Sequence, residues 1–414
     1  MQTFIDAKLS DFLCAYRKNF SSQHALIRLI EEWKFSLEKS KHVGAVLMDL
    51  SKAFDCLPKD LLSAKLEAYG LNPLALDLLL SYLSNREQRV RVNGAYSSWE
   101  ALENGVPQGS ILGPLLFNIF INDIFYIVKD GSLCNFADDN TIFADAENNN
   151  QLVEKIKSNV QACTKWFYDN KMSANPSKFQ SITIGKKSKD LKSFVINDNF
   201  EIETTSEVTL LGIEIDNQLN FDKHVELICQ KASRQLNVLK RLSNNLEEKE
   251  KRVLVNSFIL CHFNYCPLIW LFCSKKSKNK IEKINERALR IIYKDYSINY
   301  NEILKKDKDT TIHVNMIRTL ALEVYKTLNR LNPSFMRKMF VEKPTNYNLR
   351  GVKTLDIPKV NTTKYGIKSL SYLGPKIWNS LPDNIKMASS ANNFKMLAKT
   401  WFFDNVCCCS FCQK

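Results

Sequence analysis

Phe136-Ala137-Asp138-Asp139 is the stretch that decides how this chain is read, because it sets two adjacent acids among apolar residues. Such a pair loses hydration and repels itself, so a fold that keeps it needs a compensating cation. Working outward, a third acid ends the hydrophobic run Ala45-Val46-Leu47-Met48-Asp49-Leu50. Three carboxylates on converging strand ends can hold two magnesium ions about 3.5–4 Å apart and catalyse in-line phosphoryl transfer. The pattern also predicts how the acids meet. Residues 132–137 and 140–144 read as short strands, and 43–50 as a buried strand that delivers Asp49. Consecutive strand residues face opposite sides, so Asp138 and Asp139 can share a site only at a tight turn.

The remaining pattern supplies the frame. Apolar residues at helical spacing predict a helix over 22–40, and Pro58, Gly70 and Pro73 punctuate two more over 58–69 and 73–84. Residues 86–92 and 96–102 alternate around Asn93-Gly94, a strong hairpin signal. Gly105 to Ser110 is a loop feeding an apolar helix over 112–127; a further amphipathic helix spans 150–170, and 179–184 and 208–215 read as strands. Beyond 222 the pattern is helical and rich in Lys and Arg, over 222–243, 247–260 and 277–293; residues 300–414 mix helices with looser stretches.

With 414 residues the chain exceeds one ordinary core, so two or three domains or subdomains are expected. An apolar fraction of 45% and a charged fraction of 25% are those of a globular chain. A formal charge of +14 favours a polyanionic partner, nucleic acid before membrane. Met1-Gln2-Thr3-Phe4-Ile5-Asp6 has no signal-peptide pattern, and the apolar run 111–128 is broken by Pro114, Asn118, Asn122 and Asp123, so it reads as a buried helix and no membrane partner is expected. The twelve cysteines are mostly scattered, as in a reduced compartment. Cys261 and Cys266 around His262 read as core, and Cys407, Cys408, Cys409 and Cys412 as tail cysteines, with zinc the weaker alternative for both groups.

At this point the order of motifs resembles the reverse transcriptase of a non-LTR retrotransposon, of the jockey-like or related kind. The carrying segments are Leu47-Met48-Asp49-Leu50-Ser51-Lys52-Ala53-Phe54-Asp55, the run from Gly105-Val106-Pro107-Gln108-Gly109-Ser110 to Phe117, and Phe136-Ala137-Asp138-Asp139. Met172 to Lys178 and Leu210 to Ile215 support them. The resemblance implies an α+β right-hand polymerase: partial fingers over 1–42, an antiparallel-sheet palm over 43–218, a helical thumb over 219–310 and a mainly helical C-terminal region over 311–414. It implies an RNA-directed DNA polymerase, a nucleotidyltransferase that uses two Mg2+ ions, an RNA template, a DNA primer and deoxynucleoside triphosphates. It also implies an intracellular ribonucleoprotein of nucleus and cytoplasm, and says nothing of oligomeric state.

The same resemblance assigns roles. Asp49, Asp138 and Asp139 would be the metal ligands, and Asp55 a structural hydrogen-bond acceptor. The Leu50 backbone N–H would meet the triphosphate, and Phe54 would collide with a ribonucleotide 2′-hydroxyl. Gln108 and Gly109 would touch nucleotide or template, against a plain turn capped at Ser110. Lys178 would protonate leaving pyrophosphate, against an exposed flanking lysine. Arg17 would contact triphosphate, against a surface arginine. The basic helices would grip the nucleic-acid backbone.

The resemblance further implies a chain that begins inside the fingers, truncated at its N-terminus, and without an endonuclease domain. That sets a second expectation beside the first: a catalytically inactive reverse-transcriptase-like fragment that binds RNA. A maturase or an RNA-templated RNA polymerase shares the acids, and Phe54 disfavours RNA synthesis.

Overall fold

A computed structural model describes residues 5–187, 191–343 and 354–404. Helices and sheets are mixed along the chain, which divides into one unit of residues 1–25 and 41–208 and another of 26–40 and 209–414. These limits differ from the expected ones at 42 and 218, because α1 (Ser22–Glu38) places most of its length in the second unit.

The first unit is organised around β1 (His42–Met48). Two helices follow, α2 (Lys59–Ala68) and α3 (Pro73–Leu83); the Asn72 side chain accepts from the Ala75 N–H to cap α3. Four short strands come next: β2 (Arg86–Gln88), β3 (Arg91–Val92), β4 (Ala95–Tyr96) and β5 (Glu100–Leu102). They form the expected hairpin, with Asn93 and Gly94 at φ 49 and 87 in its turn. Then come α4 (Leu112–Ile121), β6 (Ser132–Phe136), β7 (Asp139–Ala146), α5 (Asn149–Asp169), β8 (Gln180–Ile184), β9 (Ser193–Asn197) and β10 (Phe200–Thr205).

The main sheet runs β6-β7-β1-β8-β10-β9. β1 lies inside it, antiparallel to β7 on one side and to β8 on the other. That position explains its unbroken apolar sequence, since a strand paired on both edges and covered on both faces has little room for polar side chains. The sheet is not wholly antiparallel as expected. After β8 the chain passes to the outer edge as β9 and folds back inward as β10, which leaves β10 parallel to β8.

α5 packs on β1, β7 and β9 through Leu152, Ile156, Val160, Cys163 and Phe167, buried at helical spacing. α4 contributes Phe117 and Phe120, both fully buried. Burial of side chains this size is worth about 1.5–3 kcal/mol each. The helix expected over 112–127 ends earlier, at Ile121, and tightens into a 3-10 turn over Asn122–Tyr126. At that junction the Asn122 side chain accepts from the Ser10 N–H at 2.7 Å and donates to the Tyr69 hydroxyl at 2.6 Å, tying the turn to two other segments.

The stretch 208–215, expected as one strand, is a hairpin: β11 (Glu207–Leu210) and β12 (Ile213–Asp216) pair across Leu211-Gly212, both at positive φ. The second unit is otherwise helical, with α6 (Asp222–Leu242), α7 (Glu248–Val255), α8 (Lys275–Tyr293), α9 (Tyr300–Asp307), α10 (Ile312–Leu328), α11 (Leu370–Ser380) and α12 (Ala391–Asp404). The buried Glu31 carboxylate of α1 accepts from the Leu370 and Ser371 N–H groups at 3.0 and 3.1 Å. A negative charge at the start of α11 satisfies otherwise unpaired amides and favours the helix dipole. Cys266 is buried as expected, whereas Cys261 is exposed, and His262 bonds to Gln235 at 2.9 Å. The described cysteines are free thiols. Cys407, Cys408, Cys409 and Cys412 lie outside the described residues.

Candidate active site

The acidic pair sits at the tip of the β6–β7 hairpin. Phe136 pairs with Asp139, which makes Ala137-Asp138 a two-residue turn. Ala137 takes a φ of 58, a conformation that a Cβ disfavours and that tight hairpins require. A pair of buried amides holds it there. Asn135 Nδ2 donates to the Ala137 carbonyl at 2.6 Å and to Asn140 Oδ1 at 3.0 Å, and Asn140 Nδ2 donates to the Asp138 carbonyl at 2.9 Å. These two asparagines were missed in the sequence, although an amide on each side of the turn, inside apolar strands, is the signal that marks them.

Asp49 arrives from the neighbouring strand. Met48 lies opposite Asn140, so one more residue brings Asp49 alongside Asp139. Burial, then Asp138, then Asp49 push the Asp139 carboxyl up to about 6. The backbone beyond Asp49 is tied by Ser51 N–H to Ser173 O at 2.8 Å and by Asn175 N–H to Asp49 O at 3.3 Å. These two bonds flank a bridge between Leu50 and Ala174 and do not use the Leu50 N–H. Lys178 reaches the same acid from the 3-10 turn Pro176–Lys178, with Nζ 3.2 Å from Asp49 Oδ2.

Among the described residues no three His, Cys, Asp or Glu side chains already form a metal-ligand cluster. The donor chemistry nonetheless fits a hard divalent cation, with three carboxylates, one of them protonated more readily than usual when no cation is near.

Beside the acids stands an aromatic wall. Phe54 stacks on Phe117 at 4.5 Å between centroids and meets Tyr16 edge-on at 5.9 Å. Tyr16 is half-exposed, and its hydroxyl is pushed above the usual range by burial and by the Asp138 charge. Nothing in the sequence singled out Tyr16; its φ of 56 and its place before Arg17 become informative only in the fold.

The loop before α4 is fastened to the Phe54 segment. Gly105 N–H donates to Leu57 O at 2.8 Å and Val106 N–H to Phe54 O at 2.9 Å. A Cβ on Gly105 would stand 2.6 Å from the Asp55 carbonyl oxygen, so glycine is required there. Asp55 is the acceptor that was expected: the Gln108 side-chain amide donates to its Oδ1 at 2.8 Å. Gly109 has a φ of 79 and open space where a Cβ would be, leaving its backbone approachable. Ser110 Oγ accepts from Gly113 N–H at 2.9 Å and caps α4.

The profile of the family described as reverse transcriptase (RNA-dependent DNA polymerase) matches residues 1–215, more than half of the chain. The chain belongs to that family. Relatives include the "Probable RNA-directed DNA polymerase from transposon BS" of Drosophila melanogaster, 26% identical over 69% of this chain and 32% of that protein. Another is the "RNA-directed DNA polymerase from mobile element jockey" of Drosophila funebris, 25% identical over 68% and 32%. The motif-based likeness to non-LTR retrotransposon reverse transcriptases is thereby borne out. The chain spans about a third of the length of these curated relatives. Among solved structures, telomerase from Candida Tropicalis covers 80% of this chain and 54% of its own, with a TM-score of 0.40 and 11% identity.

Reverse transcriptases generally use divalent metal ions. In this family member Asp49, Asp138, Asp139, Lys178, Leu50 and Phe54 lie together around the hairpin tip, and Gln108 and Gly109 are joined to them through Asp55. Arg17 does not hold the post expected of it. Its side chain is only 7% exposed, donates to the carbonyls of Ser10, Leu13 and Asp6, and lies over the Phe20 ring. Its Nη groups tie residues 6–17 together, while Nε has no hydrogen-bond partner and lies 3.5 Å from Asp6 Oδ1.

Proposed function

We propose that this chain carries an RNA-directed DNA polymerase centre that joins deoxynucleotides to a DNA primer 3′-hydroxyl on an RNA template. The observation that carries the reading is geometric: Asp49, one residue beyond β1, meets the Asp138-Asp139 tip of the neighbouring β6–β7 hairpin. Asp49, Asp138 and Asp139 would hold two Mg2+ ions. When bound, the ions supply the Lewis acidity that makes a hydroxyl a nucleophile and neutralises charge on leaving pyrophosphate.

The other residues follow from position. Phe54, braced by Phe117, is a rigid obstacle near the acids and favours deoxyribose by crowding the 2′-hydroxyl. The Leu50 amide and the open Gly109 backbone suit phosphate and base approach. Gln108, tethered to Asp55, offers its carbonyl oxygen as an acceptor. Lys178, 3.2 Å from Asp49, would be placed to give a proton to the leaving pyrophosphate. In this reading the first unit is the palm with part of the fingers, the helices over 222–293 are the thumb, and the chain acts inside the cell within a ribonucleoprotein of nucleus and cytoplasm. No helix of the described residues is long and apolar enough to cross a membrane.

The test is primer extension by this chain on a homopolymer RNA template with dNTPs and Mg2+, beside its Asp138→Ala variant. Extension lost in the variant supports the reading. Extension that survives refutes it, and RNA binding without incorporation by the unaltered chain supports the inactive RNA-binding fragment instead.

A further inference from the structure

The hairpin built from β2 to β5 leaves the first unit as an arm, and residues 87–101 of it are all exposed. One face carries two cations laid over two aromatic rings. The Arg89 guanidinium is 4.0 Å from the Tyr96 centroid and 4.5 Å from that of Trp99, and Arg91 is 5.3 Å from Tyr96. Arg91 of β3 lies directly opposite Tyr96 across the hairpin, and Arg89, between β2 and β3, reaches the same ring. Tyr96 and Trp99 remain 50% and 56% exposed. Among the described residues no carboxylate pairs with Arg89 or Arg91.

The arm is fixed at its root to the candidate active site. Arg86 donates from Nη2 to the Asn104 and Gly105 carbonyls at 3.0 and 2.6 Å, and Lys59 Nζ reaches the Leu102 carbonyl at 3.2 Å. Gly105 opens the loop that carries Gln108 and Gly109, so a strand held on the arm would be delivered to that loop.

We propose that this arm is a landing site for single-stranded RNA. Its guanidinium groups match phosphates, and its indole and phenol faces match unstacked bases. Duplex bases are already stacked and offer no face to these rings. An apolar protein partner would have to bury two unpaired guanidinium groups. The proposal rests on the polymerase reading only in naming the strand as the template; binding itself needs neither metal nor nucleotide.

The test is fluorescence anisotropy of a labelled 15-nucleotide oligo(U) with the full chain, without metal or dNTPs, against oligo(dT) and duplex RNA. The variants are Arg89→Ala/Arg91→Ala and Tyr96→Ala/Trp99→Ala, all on exposed positions, with far-UV circular dichroism to confirm folding. Each pair is expected to weaken oligo(U) binding about tenfold or more, as loss of stacking or charge contacts does. The arginine pair alone should lower the slope of log K against log salt by about 1.4, two phosphate contacts' worth. Unchanged oligo(U) affinity in both variants overturns the proposal. So does an equal loss on duplex RNA, or a loss confined to oligo(dT). Absence of polymerase activity in the unaltered chain leaves these outcomes readable, since no chemistry takes place in the assay.

Discussion

Asp139 carries a folding penalty that burial creates and that Asp138 and Asp49 add to. Its carboxyl is raised from 3.8 to about 6, so at pH 7 the folded chain holds this half-buried group ionised. Above pH 6 the group is ionised both folded and unfolded, and the folded state bears the penalty. As pH falls from about 6 to 3.8 the folded state takes up the proton first, so native stability gains in that window. Asp139→Asn should therefore stabilise the metal-free chain at pH 7.5 by on the order of 1 kcal/mol, after allowance for solvent screening. The gain should vanish near pH 4. Urea unfolding in chelator at the two pH values checks this, and the same variant should fail to extend a primer. Phe54 gives a second test at this scale. Phe54→Val keeps an apolar residue against Phe117 but removes the ring, and discrimination against ribonucleotides should fall about tenfold or more, equivalent to about 1.4 kcal/mol. Competing dNTP and rNTP incorporation measures it directly.

The β6–β7 hairpin shows how an element aims its acids. The Asn135 and Asn140 amides hold the Ala137-Asp138 turn by donating to the Ala137 and Asp138 carbonyls. Asn135→Leu leaves the Ala137 carbonyl unpaired in a buried site and should cost about 1–3 kcal/mol. Activity should fall further than stability alone accounts for, because the turn that orients Asp138 loosens; unfolding midpoint and kcat measured on the same preparation separate the two. The hairpin was legible because two short apolar runs meeting at adjacent acids have few ways to be arranged. Asp49 was legible for the same reason, as an acid closing a buried strand. β9 and β10 were not, although Phe194 and Ile196, and then Phe200 and Ile202, alternate with exposed residues, because each run is short and little of it is buried. Arg17 was assigned by resemblance, with a surface arginine as the alternative, and neither local pattern nor charge showed that its side chain would be buried among carbonyls. Tyr16 was passed over for the opposite reason: it has no pattern of its own and gains its place through Phe54.

At the scale of the whole molecule, the arrangement depends on β1 staying between β7 and β8 while α4 and α5 cover the first unit's core. Phe120 belongs to that core, fully buried in α4 and edge-on to Trp166 of α5 at 6.2 Å. Phe120→Ala should cost about 3–5 kcal/mol and abolish activity without touching the site, with thermal unfolding showing the loss first. The central claim is that acids from two distant segments gather around a divalent cation. Carboxyl-carbon NMR titration of the chain, with the Asp139 signal assigned by its absence in Asp139→Asn, tests it most directly. The account predicts a midpoint near 6 without metal, moved downward by Mg2+ and again by Asp49→Asn. A midpoint in the ordinary aspartate range that neither Mg2+ nor Asp49→Asn moves would contradict it.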